Sequence, residues 1–401
     1  MPSDSIRTET QRSGEERAAL ADALRRLESW GRQRGWAGTD PYDGLNATRL
    51  VGPLTRSVLG KRVLTQLVKR SPINLRPLLG IPAGRSAAAL AQVASSYALG
   101  AIPGEEGRKR LAEILQALEE LRCSGFDEPC WGYHFDVQTR VFFYPAGSPN
   151  TIATVFAGLA FLDAFELTND ARQLEIAVGA GDFFLRHIPQ TEDGDGAFFG
   201  YLVGDRTPIH NANTLVCALL ARLARHTGRQ DMRDAAEAGL RWTIGHQRPD
   251  GSWPYGEQPH LDWVDNFHTG YVLDSLMYSA EADMDVDDET ALKRGLSYYR
   301  RELFLSDGTP KYEPGSTYPI DAQCVAQAIQ TMALASSRDP AYASFAWTVF
   351  EFACRRMQRT DGSYIFQRRQ RWANPAPHIR WMAAPMMEAL AHLQRVETGE
   401  A

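Results

Sequence analysis

The densest group of residues able to transfer protons lies between His246 and Leu276. Asp262, Asp265 and His268 occur there at three-residue spacing, which can place them on one face of a helical turn. A carboxylate beside a histidine suits acid–base catalysis, because imidazole titrates near neutral pH and an acid can orient it. We therefore predict that His268 is the acid/base and that Asp265 orients it or serves as a second carboxylate. A buried polar network built from the same side chains remains an open alternative.

Further candidates occupy corresponding positions in neighbouring segments. His210 precedes the Asp265–His268 block and Asp321 follows it, and both are predicted to join Asp262 in the catalytic set. Asparagine and aspartate are also good helix N-caps, so capping is an alternative role for several of these residues. The predicted substrate-binding residues are Tyr144, Asn150, Asn211, Trp253, Tyr255, Glu257, Asn266, Lys311, Tyr312, Arg380 and Trp381.

The types of these residues indicate a carbohydrate ligand. Flat rings such as Trp253 and Tyr255 can stack on sugar rings, although repeat-to-repeat core packing is an alternative for them. Arg380 and Lys311 are predicted to hold a carboxylate or phosphate. Two carboxylates facing each other across a cleft would suit glycoside hydrolysis.

A repeated unit must position these residues. Asp-Gly turns begin at Asp195, Asp250, Asp307 and Asp361, in steps of 55, 57 and 54 residues. After each turn comes a helix that starts with polar residues and becomes apolar, and then a more charged helix. A near-constant period of this length is typical of stacked helical hairpins. We predict an all-α fold, an (α/α) toroid of about six hairpins, with the starts of the inner helices gathered at one mouth.

The toroid is predicted to span residues 85–401, after an N-terminal tail, helix and extension over residues 1–84. Lys69, Arg70 and Arg76 form a basic cluster in that extension, interpreted as surface charge or as an anion-binding loop. The turn-rich segment before them is a plain turn or covers the opening, and three of its residues would then face the pocket: Tyr42, Asp43 and Asn46.

Composition limits the possible partners and compartments. The 401 residues are 44% hydrophobic and 23% charged with a net charge of -6, which fits a globular protein and gives no general reason to bind nucleic acid. No apolar run approaches the roughly 18 residues of a membrane span. The polar N-terminus lacks the apolar core of a secretory signal, so we predict a cytoplasmic protein. The five cysteines are scattered without a CxxC pair, and we predict reduced thiols and neither a metal nor a cofactor.

Two sets of motifs resemble known families. The repeats HQRPDGSW and MQRTDGSY resemble the Gln-Gly-Trp repeats of the squalene-hopene cyclase and prenyltransferase superfamily. A longer set resembles a family of bacterial toroid proteins commonly found with capsule, exopolysaccharide or O-antigen synthesis genes: DPYDGLN, KRSPINLRPLLGIP, FYPAGSPNTIAT, IHNANTL, DGSWPYG, WVDNFHTGYVLDSL, PKYEPGSTYPIDAQCVAQAI and DGSYIFQRR. This second resemblance implies a toroid in a glycan context and an association with a synthesis complex.

The chain departs from that family pattern at two places. Residues 322–324 read Ala-Gln-Cys where an Ile-His-Ser-like run is usual, and residues 383–385 read Ala-Ala-Pro instead of a Gly-Gln-Ala-like run. If a histidine at the first place matters to the family, its absence here leaves more weight on His268 and His210.

We therefore predict a carbohydrate-active enzyme that modifies or cleaves an acidic glycan or a nucleotide-linked sugar as a hydrolase, lyase or epimerase. The first alternative is an isoprenoid enzyme, since DVDD at residues 285–288 looks like the DxDD acid of class II terpene cyclases. That run is predicted to lie at the end opposite the clustered mouth, as an acidic loop. The second alternative is a non-catalytic glycan-binding scaffold.

Overall fold

The computed structural model of the chain describes residues 14–49, 52, 54–188, 190–286 and 289–398. The predicted all-α toroid is confirmed, and short strands occur only in the connections between the helices described. In chain order the helices are α1 (Gly14–Arg32), α2 (Val58–Arg70), α3 (Arg76–Leu79), α4 (Ala87–Ala98), α5 (Gly104–Glu119), α6 (Thr151–Thr168), α7 (Ala171–His187), α8 (His210–Thr227), α9 (Gln230–Gly245), α10 (Asn266–Ala280), α11 (Glu289–Glu302), α12 (Ala322–Ala335), α13 (Pro340–Arg356) and α14 (Ala384–Thr398).

Even-numbered helices from α4 to α14 form the inner ring. Each packs on the next, and α14 packs on α4, which closes the circle. These helices are rich in alanine and other apolar residues and are buried on most sides, as expected for helices surrounded by protein. α6 is long and apolar enough to span a bilayer, but 61% of its residues are buried inside the protein, which fits its place in this inner ring.

Outer helices cover this ring. α5, α7, α9, α11 and α13 each pack on the inner helix that precedes them. The sixth outer position belongs to α1, which packs on α14 through a buried face that includes Leu20, Leu24, Leu27 and Trp30. The N-terminal helix and the C-terminal helix therefore form one hairpin without being adjacent in sequence. The predicted domain boundary at residue 84 stays a prediction, but α1 on its N-terminal side is part of the double ring.

Three of the four repeated Asp-Gly turns have a common geometry, whereas at the first one Gly194, before Asp195, takes the left-handed conformation. Gly251, Gly308 and Gly362 have φ values of 95°, 83° and 90°, which favour glycine. In the second turn, a Cβ on Gly251 would lie 2.5 Å from the carbonyl oxygen of Arg294. The preceding aspartate accepts backbone N–H bonds, as Asp250 Oδ1 does from Ser252 at 3.0 Å. The repeat in the sequence is therefore a repeated need for a tight turn between an outer helix and the next inner helix.

Short antiparallel ladders and the two small helices α2 and α3 complete the fold. The ladders pair β1 with β2, β3 with β4, β5 with β6, and β8 with both β7 and β9. The strands are β1 (Ala37–Gly38), β2 (Gly84–Arg85), β3 (Val137–Gln138), β4 (Phe143–Tyr144), β5 (Gln190–Asp193), β6 (Gly196–Phe199), β7 (Ile320–Asp321), β8 (Gln367–Arg368) and β9 (Ala373–Asn374). The β3–β4 hairpin and α2 lie over the toroid mouth, because both supply residues to the cavity there.

Candidate active site

A cavity of about 470 Å³ lies at the end of the toroid where the inner helices begin. Each inner helix contributes at least one residue from its first turns or, at α14, from the turn immediately before it: Ala88, Ile152, Asn211, His268, Gln323 and Trp381. The N-terminal ends of the inner helices therefore meet at one mouth, in line with their regular repetition in the sequence.

Asp265 and His268 form a hydrogen-bonded pair in the cavity wall. Asp265 is the N-cap of α10, and its Oδ1 accepts the backbone N–H of His268 at 3.0 Å. Its Oδ2 lies 2.6 Å from His268 Nδ1 and also accepts the indole N–H of Trp263 at 3.2 Å. The opposite ring nitrogen, Nε2, has no hydrogen-bond partner among the described residues, and the His268 side chain is 22% exposed in the cavity wall. One carboxylate thus caps the helix and orients the imidazole.

Aromatic rings surround this pair. Tyr255 stacks on Trp263 with centroids 4.5 Å apart, and its ring lies 4.6 Å from that of His268. Burial raises the pKa of six tyrosines that line the cavity, so these phenols stay protonated and can donate hydrogen bonds near neutral pH. They are Tyr133, Tyr144, Tyr201, Tyr255, Tyr271 and Tyr312.

Cations outnumber carboxylates in the lining. Among the described lining residues the carboxylates are Asp265 and Glu313. The cations, apart from any charge on His268, are Arg62, Lys69, Arg70, Arg140 and Arg380. In a chain with a net charge of -6, this local excess favours an anionic ligand.

Arg380 is the most deeply held of these cations. Its Nε and Nη2 donate to the two oxygens of Asp40 at 2.6 and 2.9 Å, and its guanidinium lies 4.6 Å from the centre of the Tyr133 ring. Interaction with Asp40 keeps the pKa of Arg380 high despite burial. Because Asp40 already occupies it, Arg380 is less available to an anionic ligand than Lys69, whose Nζ donates to the Tyr42 hydroxyl at 2.8 Å.

Two buried amides present unpaired acceptors at the cavity. Gln138 and Asn211 are each 3% exposed, and neither Gln138 Oε1 nor Asn211 Oδ1 has a hydrogen-bond partner among the described residues. The Gln138 amide is fixed, because its Nε2 donates to the carbonyl oxygens of Thr139 and Phe142, both at 3.1 Å. A buried acceptor without a partner carries a desolvation cost, so these two amides are candidates for contact with a ligand.

The structure brings half of the predicted residues together at this cavity. Those that line it are Asp265, His268, Tyr144, Asn211, Tyr255, Tyr312, Arg380 and Trp381. Their roles in catalysis or binding stay predictions, but their convergence on one open site is a structural finding.

Among the residues predicted to be catalytic, three lie outside this lining. The buried His210 stacks on Trp242 and bonds through Nε2 to Glu257 at 2.7 Å, and burial lowers the pKa of this histidine. Asp262 lies before the start of α10, is largely exposed and pairs with Arg248. Asp321 is the N-cap of α12 and is fully buried.

Asp321 supports the cavity wall from behind. Its oxygens accept hydrogen bonds from the Trp381 indole at 3.0 Å and from Gln367 Nε2 at 2.6 Å, and burial raises its pKa to about 6. The carboxylate therefore fixes the ring of Trp381, which does face the cavity.

The other predicted binding residues outside the lining have structural partners. Asn150 caps α6, and Asn266 bridges Leu303 O and the Tyr299 hydroxyl. Trp253 is buried and donates to Thr243 O at 2.8 Å. Lys311 donates to Pro314 O at 2.9 Å, which places its charge within its own turn. Glu257 pairs with His210 as described above.

The sequence did not indicate most of the cavity wall that the β3–β4 hairpin and α2 supply. Gln138, Arg140 and Arg62 belong to no repeated motif, and no pattern in the sequence marks them. Of the basic cluster, Lys69 and Arg70 reach the cavity but Arg76 does not. Arg76 is buried against Asp43, with its Nε 2.9 Å from both carboxylate oxygens. Neither Arg76 nor Asp43 lines the cavity.

The DVDD run follows α10, whose first turn lies at the cavity. Asp285 donates its backbone N–H to Glu237 and belongs to the loop after the C-terminal end of α10. Asp285 therefore lies at the end of α10 opposite the cavity. Asp287 and Asp288 lie outside the described residues. Within the described ranges, no cluster of three or more histidine, cysteine, aspartate or glutamate residues is suited to hold a metal ion.

Comparison with solved structures identifies α/α-toroid enzymes as structural neighbours. A glycoside hydrolase family 76 α-mannanase from Bacteroides thetaiotaomicron superposes with a TM-score of 0.58 and 14% identity, covering 78% of this chain and 86% of that one. The cellobiose 2-epimerase from Spirochaeta thermophila superposes with a TM-score of 0.59 and 15% identity, covering 79% of this chain and 86% of that one. A polysaccharide lyase gives a TM-score of 0.61 and 9% identity over 96% of this chain and 98% of that one.

At these identities the likeness establishes the fold that the chain shares with these enzymes. No protein-family model matches the sequence, and no similar sequence was found among curated proteins.

Proposed function

We propose that this protein is a glycan-active enzyme that uses His268 as an acid/base on an acidic sugar, as a glycan unit or as a nucleotide-linked sugar. The observation that carries the proposal is the 2.6 Å contact between Asp265 Oδ2 and His268 Nδ1, with the opposite edge of the imidazole free of described partners at an open cavity. The carboxylate holds the Nδ1–H, which leaves Nε2 to accept a proton from a sugar carbon. Elimination would pass that proton to the leaving oxygen, whereas epimerisation would need a second donor, such as a neutral phenol of the lining, to protonate the opposite face of the carbon.

The lining favours epimerase or lyase chemistry over hydrolysis. Hydrolysis of a glycosidic bond generally needs two carboxyl groups, one on each side of the bond. The described lining contains two carboxylates, Asp265 and Glu313. Both oxygens of Asp265 already accept hydrogen bonds, from the α10 N-terminus, His268 and Trp263, so only Glu313 is left to act as a carboxyl catalyst. A single histidine base suits removal of a proton from a carbon next to a carbonyl or carboxyl group.

Other cavity residues suit the charge that such a step creates. Removing that proton leaves negative charge on the neighbouring oxygen, and Lys69 and Arg140 belong to a cationic lining that would stabilise it. Neutral phenols such as Tyr255, next to His268, can donate hydrogen bonds to the same oxygen. Gln138 and Asn211 would accept hydrogen bonds from sugar hydroxyls.

Supporting this proposal, the structural neighbours include an α-mannanase, a cellobiose 2-epimerase and a polysaccharide lyase. The resemblance to toroid proteins found with polysaccharide synthesis genes supports a role in glycan synthesis. A purely hydrocarbon isoprenoid substrate is disfavoured, because five cations and several amides line the cavity.

Incubation with a panel of uronic-acid oligosaccharides and sugar nucleotides, followed by mass spectrometry, tests the proposal. We expect the wild-type protein to convert at least one member and His268→Ala to lose that conversion, because no other histidine lines the described cavity. His260→Ala, in the short helical turn before α10, is the matched control. Full conversion by His268→Ala would remove the assignment, and tight binding without turnover by wild type would favour a scaffold.

A further inference from the structure

Exposed aliphatic side chains are concentrated on α2 and the segment that follows it. Among the described residues ten large hydrophobic side chains are exposed, and six of them lie between residues 58 and 78. Leu59, Val63 and Leu67 are 73%, 47% and 52% exposed and are spaced four residues apart on α2, so they form one continuous apolar ridge. Val58 precedes this ridge, and Ile73 and Leu78 extend it in sequence.

The ridge is not required to hold α2 in place. The opposite face of α2 buries Leu64 and Val68, which pack in a small cluster with Leu79 and Ile81. α2 therefore has one apolar face against the protein and a second apolar face in solvent. A solvent-facing row of leucine and valine has an energetic cost unless something covers it, and contiguous patches of this kind mark interaction surfaces.

Positive charge surrounds the ridge. Between Asp43 and Glu105 the sequence contains no carboxylate and eight lysine or arginine residues, in a chain whose net charge is -6. Arg56, Arg62 and Arg70 are exposed beside the ridge. Lys61 Nζ lies 3.7 Å from the centre of the Phe143 ring, which is 40% exposed and adds an aromatic side chain to the same surface.

We propose that the α2 ridge docks on an anionic membrane surface. Short helices with aliphatic residues interleaved with lysine and arginine insert their apolar face at the boundary of headgroups and acyl chains, while the cations contact anionic headgroups. A symmetric contact with a second copy is disfavoured, because it would bring the arginines of both copies together without a carboxylate from this segment. Protein interfaces are usually centred on buried tryptophan, tyrosine or arginine anchors, whereas the centre of the α2 ridge is aliphatic.

Docking in this way would place the cavity beside the membrane. Arg62, Gln66, Lys69 and Arg70 line the cavity from the same helix that carries the ridge. A membrane-bound molecule with an anionic headgroup could therefore reach the mouth without the protein leaving the surface. The docking proposal does not depend on the proposed reaction.

Vesicle sedimentation with the full-length protein tests this inference. One set of vesicles is phosphatidylcholine alone, and the other is phosphatidylcholine mixed with phosphatidylglycerol. We expect binding to the mixed vesicles that weakens as salt is added, because the cations are solvent-exposed. Leu59→Gln combined with Leu67→Gln should weaken that binding about tenfold, since it removes two apolar side chains from the contact. Val203→Gln, which changes an exposed valine in the loop after β6, is the control.

Several results would overturn the inference. They are no sedimentation with mixed vesicles, equal binding by the double variant, and a concentration-dependent dimer that the double variant abolishes. The last result would show that a second copy covers the ridge. Unchanged thermal unfolding of the double variant is expected, because both leucines are exposed, and it would exclude misfolding as the cause of lost binding.

Discussion

At the residue scale, Asp265 combines two roles that were alternatives in the sequence. Its Oδ1 caps α10 and its Oδ2 orients His268. The three-residue spacing predicted this pair correctly, because Asp265 is the N-cap and His268 is the third residue of α10. The same spacing failed for Asp262, which lies before the helix starts, so that the helical i, i+3 geometry does not apply to it.

Substitution Asp265→Asn separates these two roles. Asparagine is as good an N-cap as aspartate, so the stability of α10 should change little. An amide cannot stabilise the imidazolium or fix the same tautomer, so kcat should fall by roughly 10²–10⁴-fold. Steady-state kinetics on the substrate identified by the panel, together with thermal unfolding, provides the check. Asp339→Asn at the N-cap of outer helix α13 is the matched control, and equal loss in both variants would contradict the account.

Lys69 provides a test of the anionic ligand. We expect Lys69→Gln to raise KM about tenfold for an acidic substrate and to change binding of a neutral analogue less, because the lost interaction is ionic. Added salt should raise KM for the wild type more than for the variant. The exposed Lys109→Gln on α5 is the control. An unchanged KM for the acidic substrate in Lys69→Gln would contradict a binding role for this cation.

At the element scale, polar side chains join neighbouring inner helices within the ring. Asp274 of α10 accepts hydrogen bonds from Gln327, Gln330 and Thr331 of α12 at 2.7, 3.0 and 2.6 Å. On the far side, Glu388 of α14 accepts one from Gln92 of α4 at 2.9 Å. Burial raises the pKa of Asp274 to about 7 and that of Glu388 to about 8.

Asp274 should make stability depend on pH. Its pKa rises from 3.8 in an exposed setting to about 7 when folded. Between these values the unfolded chain has lost the proton and the folded chain retains it, so the free energy of unfolding falls as pH rises and the loss is complete above about 7. The full effect would be up to about 4 kcal/mol. Urea unfolding across this range should show a smaller decline for Asp274→Asn.

A control for this pH dependence is Asp22→Asn, which changes an exposed carboxylate on α1. The role of Asp274 would be contradicted if Asp274→Asn kept the wild-type dependence of the free energy of unfolding on pH, or if Asp22→Asn reduced that dependence equally.

The elements outside the repeat were the hardest to predict. The Asp-Gly turns and the alternating helices are visible in the sequence, because three of the four turns need a left-handed glycine and each unit needs an apolar inner helix. The β3–β4 hairpin and α2 occur once, and their positions depend on tertiary contacts such as that between Lys61 of α2 and the ring of Phe143 of β4. No local pattern therefore showed that Gln138, Arg140 and Arg62 line the cavity.

At the scale of the whole molecule, the ring is closed by helices from the two ends of the described chain. α14 packs on α4 within the inner ring, and α1 takes the sixth outer position against α14. Arg26 of α1 also donates to the carbonyl oxygens of Arg359 and Thr360 in the last Asp-Gly turn, at 2.9 and 3.0 Å. The period of about 55 residues predicted the toroid, but it could not assign α1 because this helix precedes the first repeat.

Closure of the ring predicts a stability effect at α1. Leu27 is fully buried, so Leu27→Ala should lower the free energy of unfolding by about 2–5 kcal/mol. Because α1 belongs to the double ring, tryptophan fluorescence and far-ultraviolet circular dichroism should report one shared, shifted transition. Val203→Ala at an exposed site is the control. A separate early transition that leaves the main one unshifted would mean that α1 is an independent extension.

The most direct test of the central claim is deuterium incorporation. The wild-type protein and His268→Ala are each incubated in D₂O with the acidic sugar found by the panel, and the sugar is analysed by mass spectrometry. If His268 removes a proton from a sugar carbon, the wild type should either introduce deuterium at that carbon, as in epimerisation, or form an unsaturated sugar that has lost the proton, as in elimination. His268→Ala should bind the sugar and do neither. Equal incorporation or equal elimination by both proteins would contradict proton abstraction by His268. So would conversion by the wild type that leaves neither deuterium nor a double bond in the product.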